Sequence, residues 1–126
     1  MIAIILFLGL AGEPNLKRLV EAIELAENTP WSHPGGGLQF TTAAWGEETK
    51  LPYRYAKEKP HAKAIAVQRL ERYARQLRAR GIQPTPRLLG TVWNKGYTGA
   101  LRIHQAGTHC DYGERVENIF HDLKKP

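Results

Sequence analysis

Cysteine occurs once in this chain, at Cys110, so no intrachain disulfide can form and no cysteine-rich zinc site is available. Aspartate is scarce: ten of the twelve acids are glutamate, and only Asp111 and Asp122 remain. No apolar run reaches about 18 residues, which excludes an ordinary membrane-spanning helix. There is no internal repeat and no low-complexity tract. The glycine run Gly35-Gly36-Gly37 lacks the following Gly-Lys-Ser/Thr of a phosphate loop. His33, His61, His104, His109 and His121 lack paired metal-ligand spacing, and adding Cys110 to His104 and His109 completes no known ligand pattern. Neither a metal nor another cofactor is expected. Cys110 beside His109 also lacks the further Cys/His constellation of a thiol nucleophile.

What is present reads as one globular domain. The chain has 126 residues, 42% apolar and 24% charged. That length buries a core without staples. Eighteen Lys+Arg against twelve acids leave a net charge of +6. Such a surface suits an anionic partner: nucleic acid, an acidic membrane or an anionic cell-wall polymer. Charge alone does not choose among them. Met1 to Leu8 is unbroken apolar sequence, followed by small residues at Gly9 and Ala11. It reads as the core of a short export segment over 1–12, ahead of a domain over 13–126, although no Lys or Arg precedes it. Export to the periplasm or outside the cell is the corresponding expectation. A buried strand or helix segment is the other reading of the same run.

Past the first dozen residues the pattern is mainly helical. Asn15 is a good N-cap, and Leu16, Leu19, Val20, Ile23 and Ala26 recur at helical spacing up to Asn28-Thr29-Pro30. Residues 31–37 read as loop, 38–45 as a strand or the start of a second helix, and 46–60 as loop with a short helix. The clearest helix covers 61–80, with Gly81 as its stop. Thr85-Pro86 starts another, running to Asn94-Lys95-Gly96, and 98–104 reads as a short helix. Asp111 and Glu114 have the spacing of a capping box before a last helix faced by Val116, Ile119, Phe120 and Leu123.

The first helix carries one carboxylate out of place. At about 100° per residue from Leu16, Glu21 falls near 140° and Glu24 near 80°, but Glu27 falls near 20°, within the apolar arc. Desolvation disfavours the charged form of a carboxyl, and a protonated carboxyl is what a general acid needs. An ion pair with an arginine, or a cap on a loop, would also account for that placement.

The words around Glu27 add to this. Gly37-Leu38-Gln39-Phe40 follows it, then Trp93-Asn94-Lys95-Gly96, then Tyr112-Gly113-Glu114-Arg115-Val116. In that order they resemble the lysozyme-like superfamily, specifically the soluble lytic transglycosylases and phage-type muramidases. That pattern is a helix ending in a catalytic Glu, a G-L-M-Q-like word, then Y-N-x-G, then Y-x-x-R-V. The resemblance spans roughly 15–122 and implies a mainly α, lysozyme-like (α+β) domain with a small irregular or β region after the catalytic helix. It aligns Glu27 with the general acid/base. It implies that Gly37 and Gln39 line the cleft, that Asn94 bonds the sugar or orients Glu27, and that Tyr112 lies against the catalytic carboxyl. Asn28 stands where the family has Ser, the intervening loop is short, the Gln is shifted by one, and Trp93 replaces the Tyr of Y-N-x-G.

By this resemblance the substrate is the glycan strand of peptidoglycan. Glycosidases commonly use two carboxylates. Between Glu27 and residue 60 the only other acids are Glu47, Glu48 and Glu58, and no Asp stands where a second acid would be expected. The expectation is therefore a single-acid lytic transglycosylase cleaving the MurNAc–GlcNAc β-1,4 bond to a 1,6-anhydro product. A hydrolytic muramidase using Glu47 or Glu48 is the first alternative. A non-catalytic basic module for glycan or nucleic acid is the second. Trp31 and Tyr53 are candidate sugar platforms or core residues, while Trp45 and Trp93 read as core. The 61–80 helix bears six Lys or Arg and one Glu, but no nucleic-acid motif accompanies it, so nucleic acid is not the expected partner.

Overall fold

A computed structural model describes residues 14–124, and the expected export segment over 1–12 lies outside them. Five α-helices and one 3-10 turn make up the described chain: α1 (Leu16–Glu27), α2 (Thr42–Glu48), the 3-10 turn (Tyr53–Lys57), α3 (Lys59–Ala79), α4 (Pro86–Gln105) and α5 (Asp111–Leu123). Among the described residues there is no strand. The mainly helical expectation holds, and the β component does not appear. Thr41 explains part of this. It is extended, its hydroxyl accepts from the Ala44 N–H, and so it caps α2 where a strand could have continued.

The starts of α1 and α4 follow the sequence signals. Asn15 Oδ1 accepts from the Arg18 N–H at 3.1 Å, and Thr85 Oγ1 accepts from the Leu88 N–H at 3.1 Å. α1 ends at Asn28, which takes a left-handed conformation (φ 50°) and returns its N–H to the Glu24 carbonyl. The start of α5 differs from the expected capping box. Cys110 is the N-cap, its Sγ accepting from the Gly113 N–H at 3.4 Å. The Glu114 carboxylate is drawn away to His109 Nε2 at 2.8 Å, so it cannot close the box.

The core joins Leu19, Val20 and Ile23 of α1 to Leu70 and Leu77 of α3, Leu89 of α4, and Val116 and Phe120 of α5. α5 lies against both α1 and α4. Small residues set the second contact: a Cβ on Gly90 would lie 3.0 Å from Val116 Cβ, and one on Gly113 would strike Thr91 Oγ1. Trp45 is buried, and Phe40 stands edge-on between Trp45 and Trp93, with centroids 5.1 and 5.2 Å away.

α4 is broken. Gly96 sits at φ 81°, ψ 165°, outside helical geometry. A straight helix would hold Leu88 and His104 about 24 Å apart. Both line one cavity of about 370 Å³, so the second arm is turned back toward the first. This matches the two helices read on either side of Gly96.

Candidate functional site

α1 and α5 bring Glu27 and Tyr112 together. The Tyr112 hydroxyl donates to Glu27 Oε2 at 2.5 Å. Glu27 is the last residue of α1 and half-buried. No ion pair reaches its carboxylate among the described residues, so the arginine partner considered above is not there. Burial pushes the Tyr112 phenol well up from its ordinary value, and the bond to Glu27 pushes it further. Tyr112 therefore stays protonated and keeps donating across the neutral range. The Arg115 guanidinium lies over the Tyr112 ring, 5.6 Å from its centroid.

Glu24, one turn earlier, has a different fate. Lys59 Nζ and Lys63 Nζ lie 3.3 and 3.2 Å from its oxygens, and Trp31 Nε1 donates to it at 3.0 Å. Burial works to raise its carboxyl, but these three donors outweigh burial and hold it below the usual carboxylate value. Of the two glutamates on the last turn of α1, one is neutralised by lysines and the other meets only a neutral phenol.

The irregular stretch between α1 and α2 is fastened to this end of α1. Gln39 Nε2 donates to Thr29 Oγ1 at 2.7 Å, and Thr29 Oγ1 donates to the Glu27 carbonyl at 3.1 Å. Gln39 is exposed with φ 54°, which sends its side chain back toward Thr29. Thr29 is the residue that sequence reasoning missed. No local pattern marks its bond to Gln39, because that partner lies ten residues away.

The glycine run packs against protein. Gly36 has φ 70°, and an added Cβ would run into the Ala56 carbonyl oxygen. A Cβ on Gly37 would lie 2.5 Å from Trp31 Cε2. Gly37 thus makes room for Trp31, where it had been expected to admit a sugar. Trp31 itself is wedged between this glycine and Lys59, whose Nζ is 5.8 Å from its ring centroid. The Tyr53 hydroxyl donates to the Phe40 carbonyl at 2.5 Å, and Trp93 Nε1 donates to the Leu38 carbonyl at 3.3 Å. Trp31 and Tyr53, read as possible sugar platforms, fasten the loop. Asn94 is exposed at the end of the first arm of α4, and among the described residues no hydrogen bond joins it to Glu27. The chain matches no family model, no curated protein and no solved structure.

Glu47 and Glu48 are committed elsewhere. The Glu48 side chain is almost fully buried and bound by Arg69 Nη1 at 2.7 Å and by Arg72 Nη2, while Glu47 meets the same Arg69 at 2.9 Å. These pairs also neutralise much of the basic stripe on α3, where Arg75 meets Glu71 as well. No group of three or more His, Cys, Asp or Glu among the described residues could hold a metal ion. No described helix is long and apolar enough to cross a membrane.

The Glu48 cluster carries a stability prediction. Burial pushes its carboxyl up, the bonds from Arg72 and Arg69 pull it down, and the bonds prevail. A carboxyl lowered in the folded state contributes stability above its ordinary value of 4.5, and that contribution is lost as pH falls through the lower folded value. Replacing Glu48 by Gln should cost about 2 kcal/mol near neutrality, the worth of a hydrogen bond to a charged group. Thermal unfolding at several pH values should show the variant and the parent diverging above that ordinary value and converging in acid. A constant gap across the whole range would mean that the charge of Glu48 is not what matters.

Proposed function

We propose that the protein is a lysozyme-like peptidoglycan lytic transglycosylase, exported to the cell wall, with Glu27 as its single general acid/base. The observation that carries this reading is the Tyr112–Glu27 bond: an uncompensated glutamate at a helix end, held by a neutral phenol from the last helix. The lysozyme-like resemblance sets the same two residues against each other. In the proposed reaction Glu27 protonates the glycosidic oxygen between MurNAc and GlcNAc. The N-acetyl group assists departure. Glu27 then takes the proton of the muramic acid 6-hydroxyl as that oxygen closes on C1, giving the 1,6-anhydro sugar. Tyr112 positions the Glu27 carboxyl through both proton transfers.

A single acid is also favoured by the fate of the other glutamates. Glu48 is buried under two arginines, Glu47 shares one of them, and Glu24 is held by two lysines. None is free to serve as the second carboxylate of a hydrolase. The gathering of α3 arginines into ion pairs likewise weakens the reading as a nucleic-acid module.

Mass spectrometry of purified sacculi after incubation with the protein tests the proposal. Anhydro-muropeptides are the expected product. Reducing muropeptides would keep Glu27 and replace transglycosylation by hydrolysis. A folded sample that releases nothing from several wall types would sink the enzyme reading. Tyr112→Phe should lower turnover about 30-fold, equivalent to roughly 2 kcal/mol for a hydrogen bond to a charged group. Unchanged kcat in that variant would remove Tyr112 from the machinery.

A further inference from the structure

The cavity described above, about 370 Å³, lies where the two arms of α4 fold toward each other, and Glu27 and Tyr112 are not among its lining residues. Its volume falls within the usual range for small-ligand sites, which starts at about 300 Å³. Its wall has an unusual balance. Arg87 supplies a guanidinium, but Nε and Nη2 already bond Glu117 Oε1 at 3.1 and 2.8 Å. The pair therefore offers donors and a carboxylate acceptor side by side with no net charge. Thr85 and Thr108 add hydroxyls, His104 adds an imidazole, and Leu88 and Ile103 give an apolar floor.

A strongly anionic ligand would meet the Glu117 carboxylate beside Arg87, and a cation would face Arg87 itself. A neutral polyhydroxylated ligand suits such a wall. Each of its hydroxyls both donates and accepts, and its CH faces meet apolar side chains. A saccharide ring with an N-acetyl group has that chemistry. We propose that the cavity in the bend of α4 is a saccharide site, one that takes a neutral N-acetylhexosamine unit and is separate from Glu27 and Tyr112. It would hold a glycan without cleaving it. This inference does not depend on the chemistry assigned to Glu27, because its readout is binding.

The experiment is an NMR titration of the full chain with N,N′-diacetylchitobiose, with inorganic phosphate as a parallel probe. Saturable shifts are expected at 85–91 and 103–108. His104→Ala and Thr108→Trp should each weaken binding at least tenfold, the first by removing a polar partner and the second by filling the mouth. Both positions are exposed, so both variants should keep the parent's spectrum elsewhere. Shifts confined to the surroundings of Glu27 and Gln39 would overturn the proposal. So would the absence of saturable shifts, saturable binding of phosphate in place of chitobiose, or binding that both variants leave unchanged.

Discussion

Glu27→Gln should reduce muropeptide release by at least about 10³-fold, within the range that general acid–base catalysis contributes. The substitution is nearly isosteric. The amide oxygen can still accept from the Tyr112 hydroxyl, so α1 and α5 stay joined and the unfolding midpoint should move little. What disappears is the carboxyl that, in the proposed reaction, gives a proton to the leaving oxygen and then takes one from the 6-hydroxyl. The comparison that makes the test informative is Glu24→Gln. That change strips charge from a cluster with Lys59, Lys63 and Trp31, so it should lower stability more than turnover. Muropeptide yields and thermal unfolding, measured on both variants, separate the two roles. If Glu27→Gln released anhydro-muropeptides at the parent's rate, Glu27 would not be the acid.

Gly36→Ala should destabilise the domain by at least about 3 kcal/mol, combining left-handed backbone strain with overpacking. Gly36 has φ 70°, and the new methyl would run into the Ala56 carbonyl oxygen, a backbone atom that no rotamer change can move. Relief requires the loop over 31–40 to part from the 3-10 turn, which would loosen Trp31, Phe40 and Gln39 together. For a chain of this size such a loss lowers the unfolding midpoint by roughly 10 °C. Gly81→Ala is the control. Gly81 has φ 75°, but its Cβ direction is open, so only the backbone strain of roughly 1–2 kcal/mol applies. Equal midpoints for the two variants would mean that the Gly36–Ala56 contact contributes nothing.

How far the sequence could be read depended on the range of each interaction. Asn15, Thr85 and the Gly96 break were legible because caps and breaks are decided within a few residues. The capping box at Asp111–Glu114 failed because Glu114 had a competing partner in His109, outside the box pattern. The partly inward placement of Glu27 was legible from its angle on α1. Its partner Tyr112 came from the resemblance alone. The roles of Trp31, Gly37 and Tyr53 were not legible. An aromatic side chain or a glycine near an acid looks the same in sequence whether it faces a ligand or the underside of a loop. Only the packing of Gly37 on Trp31, and of Gly36 on Ala56, separates the cases. Likewise the α3 arginines looked like a polyanion-binding stripe until Glu48 and Glu47 were placed beneath them.

The Glu27–Tyr112 bond joins residues 85 positions apart. Closing so long a loop is entropically slow, and nothing local prepares it. During synthesis Glu27 emerges 85 residues before Tyr112 does. Any chain that stops short of α5 carries Glu27 without its Tyr112 partner. In the proposed reaction, cutting would therefore wait on the docking of α5 against α1.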